Sequence, residues 1–80
     1  MDILKSYEEW LEKEYKDTIK TITLMKDYFT PKEIVNNSCQ RALGAFFFIQ
    51  HFNVTVPYLN FESLYESFHE RCEKLLDKQK

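Results

Sequence analysis

The stretch DYFTPKEI, residues 27–34, marks the point at which one helix is expected to end and the next to begin. Thr30 is a favourable N-cap residue, and Pro31 suits the first helical position. Glu33 stands three residues after the threonine, the spacing of a capping box, in which each residue's side chain bonds the other's backbone N–H. The sequence therefore predicts that a helix begins at residue 31.

The segment before this stretch has the pattern of a long amphipathic helix. From Ile3 to Phe29 apolar residues recur at spacings of three and four, which indicates one face of an α-helix. The opposite face carries acids four residues before lysines, as in Glu12 and Lys16, and is expected to be solvated. Residues 18–23, TIKTIT, are mostly β-branched and also fit a strand, but no second strand pattern could pair with them. The sequence predicts helix 1 over residues 3–29.

Two further helices are predicted after Pro31: helix 2 over residues 31–52 and helix 3 over residues 61–77. Asn53 suits the αL conformation that ends a helix, and Asn60 suits the cap of helix 3. The apolar segment between them is expected to lie extended across one end of the molecule. Because short connections favour antiparallel neighbours, the predicted fold is an all-α, up-down-up three-helix bundle, one domain over residues 1–80.

The run RALGAFFFIQHF, residues 41–52, indicates that helix 2 is central. At about 100° per residue, its apolar and small residues cover roughly 260° of the helix circumference. An ordinary surface helix has an apolar stripe of about 100°. Phe47 and Phe48 point about 100° apart, so one of them is expected to remain uncovered in an isolated chain.

An uncovered aromatic cluster would mark an interaction surface. Most soluble oligomers are symmetric homo-oligomers, so the predicted partner is a second copy of the chain. The alternative is a monomer in which the segment after helix 2 folds over the extra phenylalanine. Gly44 lies in a polar arc of helix 2, where glycine costs up to about 1 kcal/mol relative to alanine. A closely approaching backbone or a ligand would explain it, and simple tolerance is the other interpretation. The predicted interaction residues are Trp10, Asn37, Arg41, Gly44, Phe47, Phe48 and Phe52.

Composition argues against several functional classes. The formal net charge of −2 and the pI of about 5.6 disfavour a general phosphate-binding surface, and so disfavour nucleic acid. The apolar runs fall far short of the roughly 20 residues that cross a bilayer, and the N-terminal MDILKSYEEW lacks the features of a signal peptide. A cytoplasmic protein without a membrane partner is predicted. Lysine greatly outnumbers arginine, a bias of low-GC coding DNA that suggests a Gram-positive bacterium or its phage.

Few residues could carry chemistry. Two cysteines do not make a disulfide framework in a chain of this kind, so Cys39 and Cys72 are expected to be buried thiols. His69 and Cys72, at i and i+3, could place two ligands near one zinc ion, but a metal site needs about four. A single glycine excludes a glycine-rich phosphate loop. The sequence predicts a non-enzymatic protein without a cofactor or a metal ion.

Three functional hypotheses remain, and an interaction or adaptor module acting through helix 2 and its aromatic border leads them. The first alternative is a small nucleic-acid-binding regulator, because the segment from Thr30 begins as the helices of a helix-turn-helix unit often do. Helix 2 offers Phe and Ile where base-reading side chains are wanted, and the polar set that could read bases is Asn36, Asn37, Gln40 and Arg41. The second alternative is a metal- or thiol-dependent protein that uses His69 and Cys72.

Overall fold

The computed structural model describes residues 2–52 and 58–77. Within these ranges the chain forms three helices, α1 (Ile3–Leu24), α2 (Pro31–Phe52) and α3 (Tyr58–Asp77). Each helix packs against both of the others, and the bundle measures 43 × 18 × 17 Å. The predicted all-α three-helix fold is confirmed.

Contacts between the helices give their directions. Tyr7, near the start of α1, contacts Phe46, near the end of α2, while Thr18, farther along α1, contacts Ser38, earlier in α2. Tyr7 also contacts Phe61, near the start of α3. The helices α1 and α2 therefore run antiparallel and α1 and α3 run parallel, in the predicted up-down-up order.

The capping box that starts α2 forms as predicted. The backbone N–H of Glu33 donates to Thr30 Oγ1 at 3.1 Å, and the backbone N–H of Thr30 donates to Glu33 Oε2 at 3.3 Å. Two of the backbone donors that a helix N-terminus leaves unpaired are thereby satisfied. Pro31 is the first residue of α2, and both predicted bounds of helix 2 are confirmed.

The predicted end of helix 1 at residue 29 is wrong, because α1 ends at Leu24. The backbone N–H of Met25 closes the last turn of α1, and the N–H groups of Tyr28 and Phe29 both donate to the Met25 carbonyl. A helix that continued to residue 29 would leave Thr30 alone to reverse the chain, whereas antiparallel helix pairs need a loop of about 2–5 residues. The last residues of the predicted helix therefore form the turn that reverses the chain.

The predicted start of helix 3 at residue 61 is also wrong. The helix α3 begins at Tyr58, so Asn60 lies inside it and does not cap it. Asn53 and residues 54–57, which were expected to end helix 2 and to cover the bundle end, lie outside the described residues.

The core is an apolar cluster to which all three helices contribute. Its aromatic centre consists of Tyr7, Phe46 and Phe61, whose ring centroids are 5.6 to 6.4 Å apart. Each such ring can bury on the order of 150–250 Å², which is how a short chain obtains a sufficient core. The other buried apolar residues are Leu11 and Ile22 of α1, Ile34, Val35, Cys39 and Ala42 of α2, and Phe68, Cys72 and Leu75 of α3.

Candidate interaction surface

The outward side of α2 brings most of the predicted interaction residues together. Each predicted interaction residue of α2 is exposed and lies three or four positions from another one, so together they follow one stripe along the helix. Both neighbouring helices lie on the other side, where they cover the buried residues of α2. We refer to this surface as the α2 face and define it by Asn37, Arg41, Gly44, Phe47, Phe48 and Phe52.

Three phenylalanines dominate the α2 face. The exposed fractions of Phe47, Phe48 and Phe52 are 51%, 67% and 72%. The rings of Phe48 and Phe52 lie 5.0 Å apart between centroids, and the Phe47 ring rests on the edge of the core against Phe46 at 5.2 Å. The sequence predicted that one of Phe47 and Phe48 stays uncovered, and the structure leaves both more than half exposed.

Gly44 forms a gap between these rings. At about 100° per residue it points between Phe47 and Phe48, one turn before them. A Cβ added to Gly44 would meet nothing within 4 Å, so no other part of the described chain approaches it. A second molecule could bring its backbone or a large side chain close to the helix at this point.

Arg41 is held from the α1 side. Its Nε donates to Glu14 Oε1 at 2.7 Å, and its Nη2 donates to Ser38 Oγ at 3.1 Å. Ser38 Oγ lies 2.5 Å from Thr18 Oγ1, and the Thr18 hydroxyl donates to the Glu14 carbonyl at 2.7 Å. These bonds form a closed network that fixes α1 against α2. Helical periodicity did not indicate this network, because both hydroxyl residues fit the apolar stripes of their helices.

Asn37 is the first residue of the α2 face along the chain, and Trp10 borders the face on its α1 side. Asn37 is exposed and lines, with Arg41, a shallow hollow of about 130 Å³. Trp10 is 37% exposed and lies one turn before Glu14 on α1. Because Glu14 contacts Arg41 and the two helices are antiparallel, Trp10 lies beside the next turn of α2, at the level of Gly44. The structure thus places all the predicted interaction residues on or beside one surface.

A groove of about 430 Å³ between α2 and α3 is a second concave feature. Cys39 contributes to its floor, and His69 and Glu73 stand on its α3 side with Nε2 and Oε1 3.4 Å apart. Cys72 is fully buried. Both cysteines are free, and their predicted burial is confirmed.

The thiols of Cys39, on α2, and Cys72, on α3, interact with each other. A hydrogen bond from the Cys72 thiol lowers the pKa of Cys39, while burial and the Glu73 carboxylate oppose that shift. The same hydrogen bond, together with burial, raises the pKa of Cys72. Cys39 is therefore the thiol that ionises more readily, and Cys72 is the thiol that keeps its proton.

The structure does not bring His69 and Cys72 together as ligands. Cys72 points into the core, whereas His69 is exposed beside Glu73. In the described part of the chain, no three or more His, Cys, Asp or Glu side chains form a group that could hold a metal ion. The interaction that Cys72 makes is with Cys39, from a different helix.

Glu12 faces α3, although the sequence pattern paired it with Lys16 on a solvated face. Arg71 Nη1 donates to Glu12 Oε2 at 2.7 Å, and its guanidinium lies 3.9 Å above the centroid of the Tyr15 ring. The hydrogen bond with Arg71 lowers the pKa of Glu12. Fifty-nine positions separate the partners in the chain, so helical spacing gave no indication of this pair.

Comparison with protein-family models, with curated proteins and with solved structures found no match. None of the helices in the described ranges is long and apolar enough to cross a membrane.

Proposed function

We propose that this chain is a small, non-enzymatic interaction module that associates with a second copy of itself through the α2 face. The observation that carries the proposal is the exposure of Phe47, Phe48 and Phe52 within a short stretch of one helix. These rings hold apolar surface in water, and covering it favours association by about 25 cal/mol per Å².

The area of the α2 face supports this proposal. At about 200 Å² per aromatic side chain, the exposed fractions of the three rings amount to on the order of 400 Å² of apolar surface. The largest apolar patch on a typical monomeric protein is about 300–600 Å² and is often functional. A standard interface buries about 800 Å² on each partner, so these rings supply about half of one side. Trp10 and the surface around Gly44 extend the same face.

The shape of the α2 face suits a two-fold contact between two α2 helices. In an antiparallel pair, Phe48 of each copy packs beside Gly44 of the other, where the missing side chain leaves room for a ring. A two-fold axis makes every such contact twice, which is why a single self-complementary patch is enough. The charge of Arg41 is compensated by Glu14, so little unpaired charge is buried.

Sedimentation velocity of the wild type and of Phe48→Ser tests this assignment. At high concentration we expect the wild type to sediment as a dimer and Phe48→Ser as a monomer. Helical content should change little, and so should the melting temperature at low concentration, where both proteins are monomers, because the Phe48 ring lies mostly in solvent.

The matched control for this experiment is Tyr28→Ser. Tyr28 is 76% exposed and lies in the turn between α1 and α2, away from the α2 face. Its loss removes a comparable exposed aromatic ring and should leave the dimer intact. Equal loss of association in both variants would show general stickiness of exposed rings and would refute a specific α2 interface.

The compartment that we propose is the cytoplasm. Both cysteines are buried free thiols, and a reducing compartment keeps thiols in that form. Self-association would then take place between cytoplasmic copies of the chain.

A further inference from the structure

The register of α2 against α3 places Cys39 opposite Cys72. One layer of this contact is marked by the rings of Phe46 and Tyr65, whose centroids are 6.4 Å apart. Cys39 lies seven residues before Phe46, and Cys72 lies seven residues after Tyr65, about two helical turns in each case. Because α2 and α3 run antiparallel, both steps lead to the same layer of the bundle.

The two thiols differ in how a small molecule could reach them. Cys39 is 6% exposed and contributes to the floor of the groove between α2 and α3. Cys72 is fully buried and does not line the groove. A small solute that enters the groove therefore meets Cys39 first and has no direct route to Cys72.

We propose that Cys39 and Cys72 form a dithiol site that hydrogen peroxide oxidises to an intramolecular disulfide joining α2 to α3. The Cys39 thiolate attacks one peroxide oxygen and the O–O bond breaks, which gives a sulfenic acid on Cys39. The leaving oxygen takes up the proton that Cys39 gave up and departs as water.

The Cys72 sulfur then attacks the sulfur of the sulfenic acid. The S–O bond breaks, the disulfide bond forms, and the oxygen leaves as a second water with the proton of the Cys72 thiol. The two thiols lose two electrons in total, and the peroxide takes up both in becoming two water molecules.

The interaction between the thiols suits this division of roles. The thiolate is the nucleophilic form of cysteine, and the hydrogen bond from Cys72 lowers the pKa of Cys39 at the groove floor. Burial and the same bond raise the pKa of Cys72, which therefore keeps its proton until the sulfenic acid has formed. The Glu73 carboxylate raises the pKa of Cys39 and so slows the first step.

Intact-mass analysis of the folded wild-type chain after peroxide treatment tests the proposal. We expect each chain to lose two hydrogen atoms and gain no oxygen, and a digest without reductant to contain one cross-linked pair, Cys39 with Cys72. Dithiothreitol should restore the original mass. Thiols that stay free while the denatured chain reacts, oxygen added without a cross-link, or a disulfide between two chains would overturn it. The readout lies within one chain, so it is independent of self-association.

Single variants test the separate roles. In Cys72→Ala, Cys39 has no partner and should accumulate as a sulfenic acid that dimedone traps. It should react on the order of tenfold faster than Cys72 does in Cys39→Ala, because Cys39 lines the groove whereas Cys72 is fully buried, and exposure governs thiol reactivity. Equal rates for the two cysteines in the folded variants would contradict the assignment.

A charge variant tests the role of the groove wall. Glu73→Gln should speed the reaction of Cys39, because it removes a negative charge that disfavours the thiolate. Glu70→Gln is the matched control: Glu70 lies on the same helix, pairs with Lys74 at 3.8 Å and does not line the groove. Acceleration by Glu70→Gln to the same degree would show a general charge effect and contradict the role given to Glu73.

Discussion

At the scale of single residues, Tyr7 shows how one polar atom is accommodated in an aromatic core. Its ring packs against the rings of Phe46 and Phe61, and its hydroxyl donates to the Ala42 carbonyl at 2.8 Å. Burial raises the pKa of Tyr7, because the phenolate would be stranded away from water. The hydroxyl therefore stays protonated in the folded chain.

This burial predicts a loss of stability at alkaline pH. Tyrosine in the unfolded chain ionises near pH 10, whereas Tyr7 in the folded chain ionises at a higher pH. The contribution of Tyr7 to stability is therefore complete below about pH 10 and is lost as the pH rises beyond it. Melting temperatures measured from about pH 9 to about pH 11 should fall less steeply in Tyr7→Phe than in the wild type. Parallel declines would contradict this role.

The hydroxyl pair of Thr18 and Ser38 permits a second residue-scale test. Thr18→Val keeps the shape of the side chain but leaves the buried Ser38 hydroxyl without its acceptor, at an expected cost of about 1–3 kcal/mol. Adding Ser38→Ala removes the stranded donor, so the double variant should recover part of that loss. Denaturant unfolding of the four proteins measures the coupling, and strict additivity would mean that the two hydroxyls do not interact.

At the scale of helices, the sequence correctly predicted the features that depend on local interactions. The start of α2 depends on a capping box within four residues, and the structure forms it. The end of α1 depends on how many residues the chain needs to reverse direction before Thr30, which is a tertiary constraint. Helical periodicity alone therefore predicted too long a helix. The pair of Glu12 and Arg71 depends on which turns of α1 and α3 meet, and neither helix encodes that alone.

The exposed residues of the candidate site could be predicted from α2 alone, whereas its contacts with other helices could not. A helical wheel showed that α2 has more apolar circumference than two neighbours can cover, and both Phe47 and Phe48 are indeed exposed. The wheel could not show that Arg41 would be held by Glu14, nor that Cys39 and Cys72 would meet. Each of these contacts joins two helices at a particular register, which the packing of large core side chains determines.

Replacement of Gly44 should affect the stability of α2 and the association of the chain in opposite directions. Gly44→Ala should stabilise the monomer by up to about 1 kcal/mol, because alanine favours the helix and nothing in the described chain obstructs its Cβ. In the proposed dimer the same Cβ occupies the gap that receives Phe48 of the other copy, so association should weaken. Unfolding at low concentration and sedimentation at high concentration measure the two effects. A variant that is less stable as a monomer would contradict the exposed, unobstructed position of Gly44.

At the scale of the whole molecule, the bundle is a short rod whose exposed aromatic rings are distributed unevenly. The buried face of α2 completes the core with α1 and α3, while the outward face of α2 keeps three phenylalanines in solvent. A net charge of only −2 offers little general repulsion between copies. Both properties favour association of two rods along their α2 helices.

Self-association through the α2 face predicts that the mass of the wild-type chain depends on its concentration. Sedimentation equilibrium, run from low micromolar to near-millimolar chain concentration under reducing conditions, should show the mass rise from 9.7 kDa towards twice that value. The rise should level off at the dimer, because a two-fold contact uses up the α2 face of both copies. A mass that stays at 9.7 kDa over the whole range would contradict self-association through the α2 face.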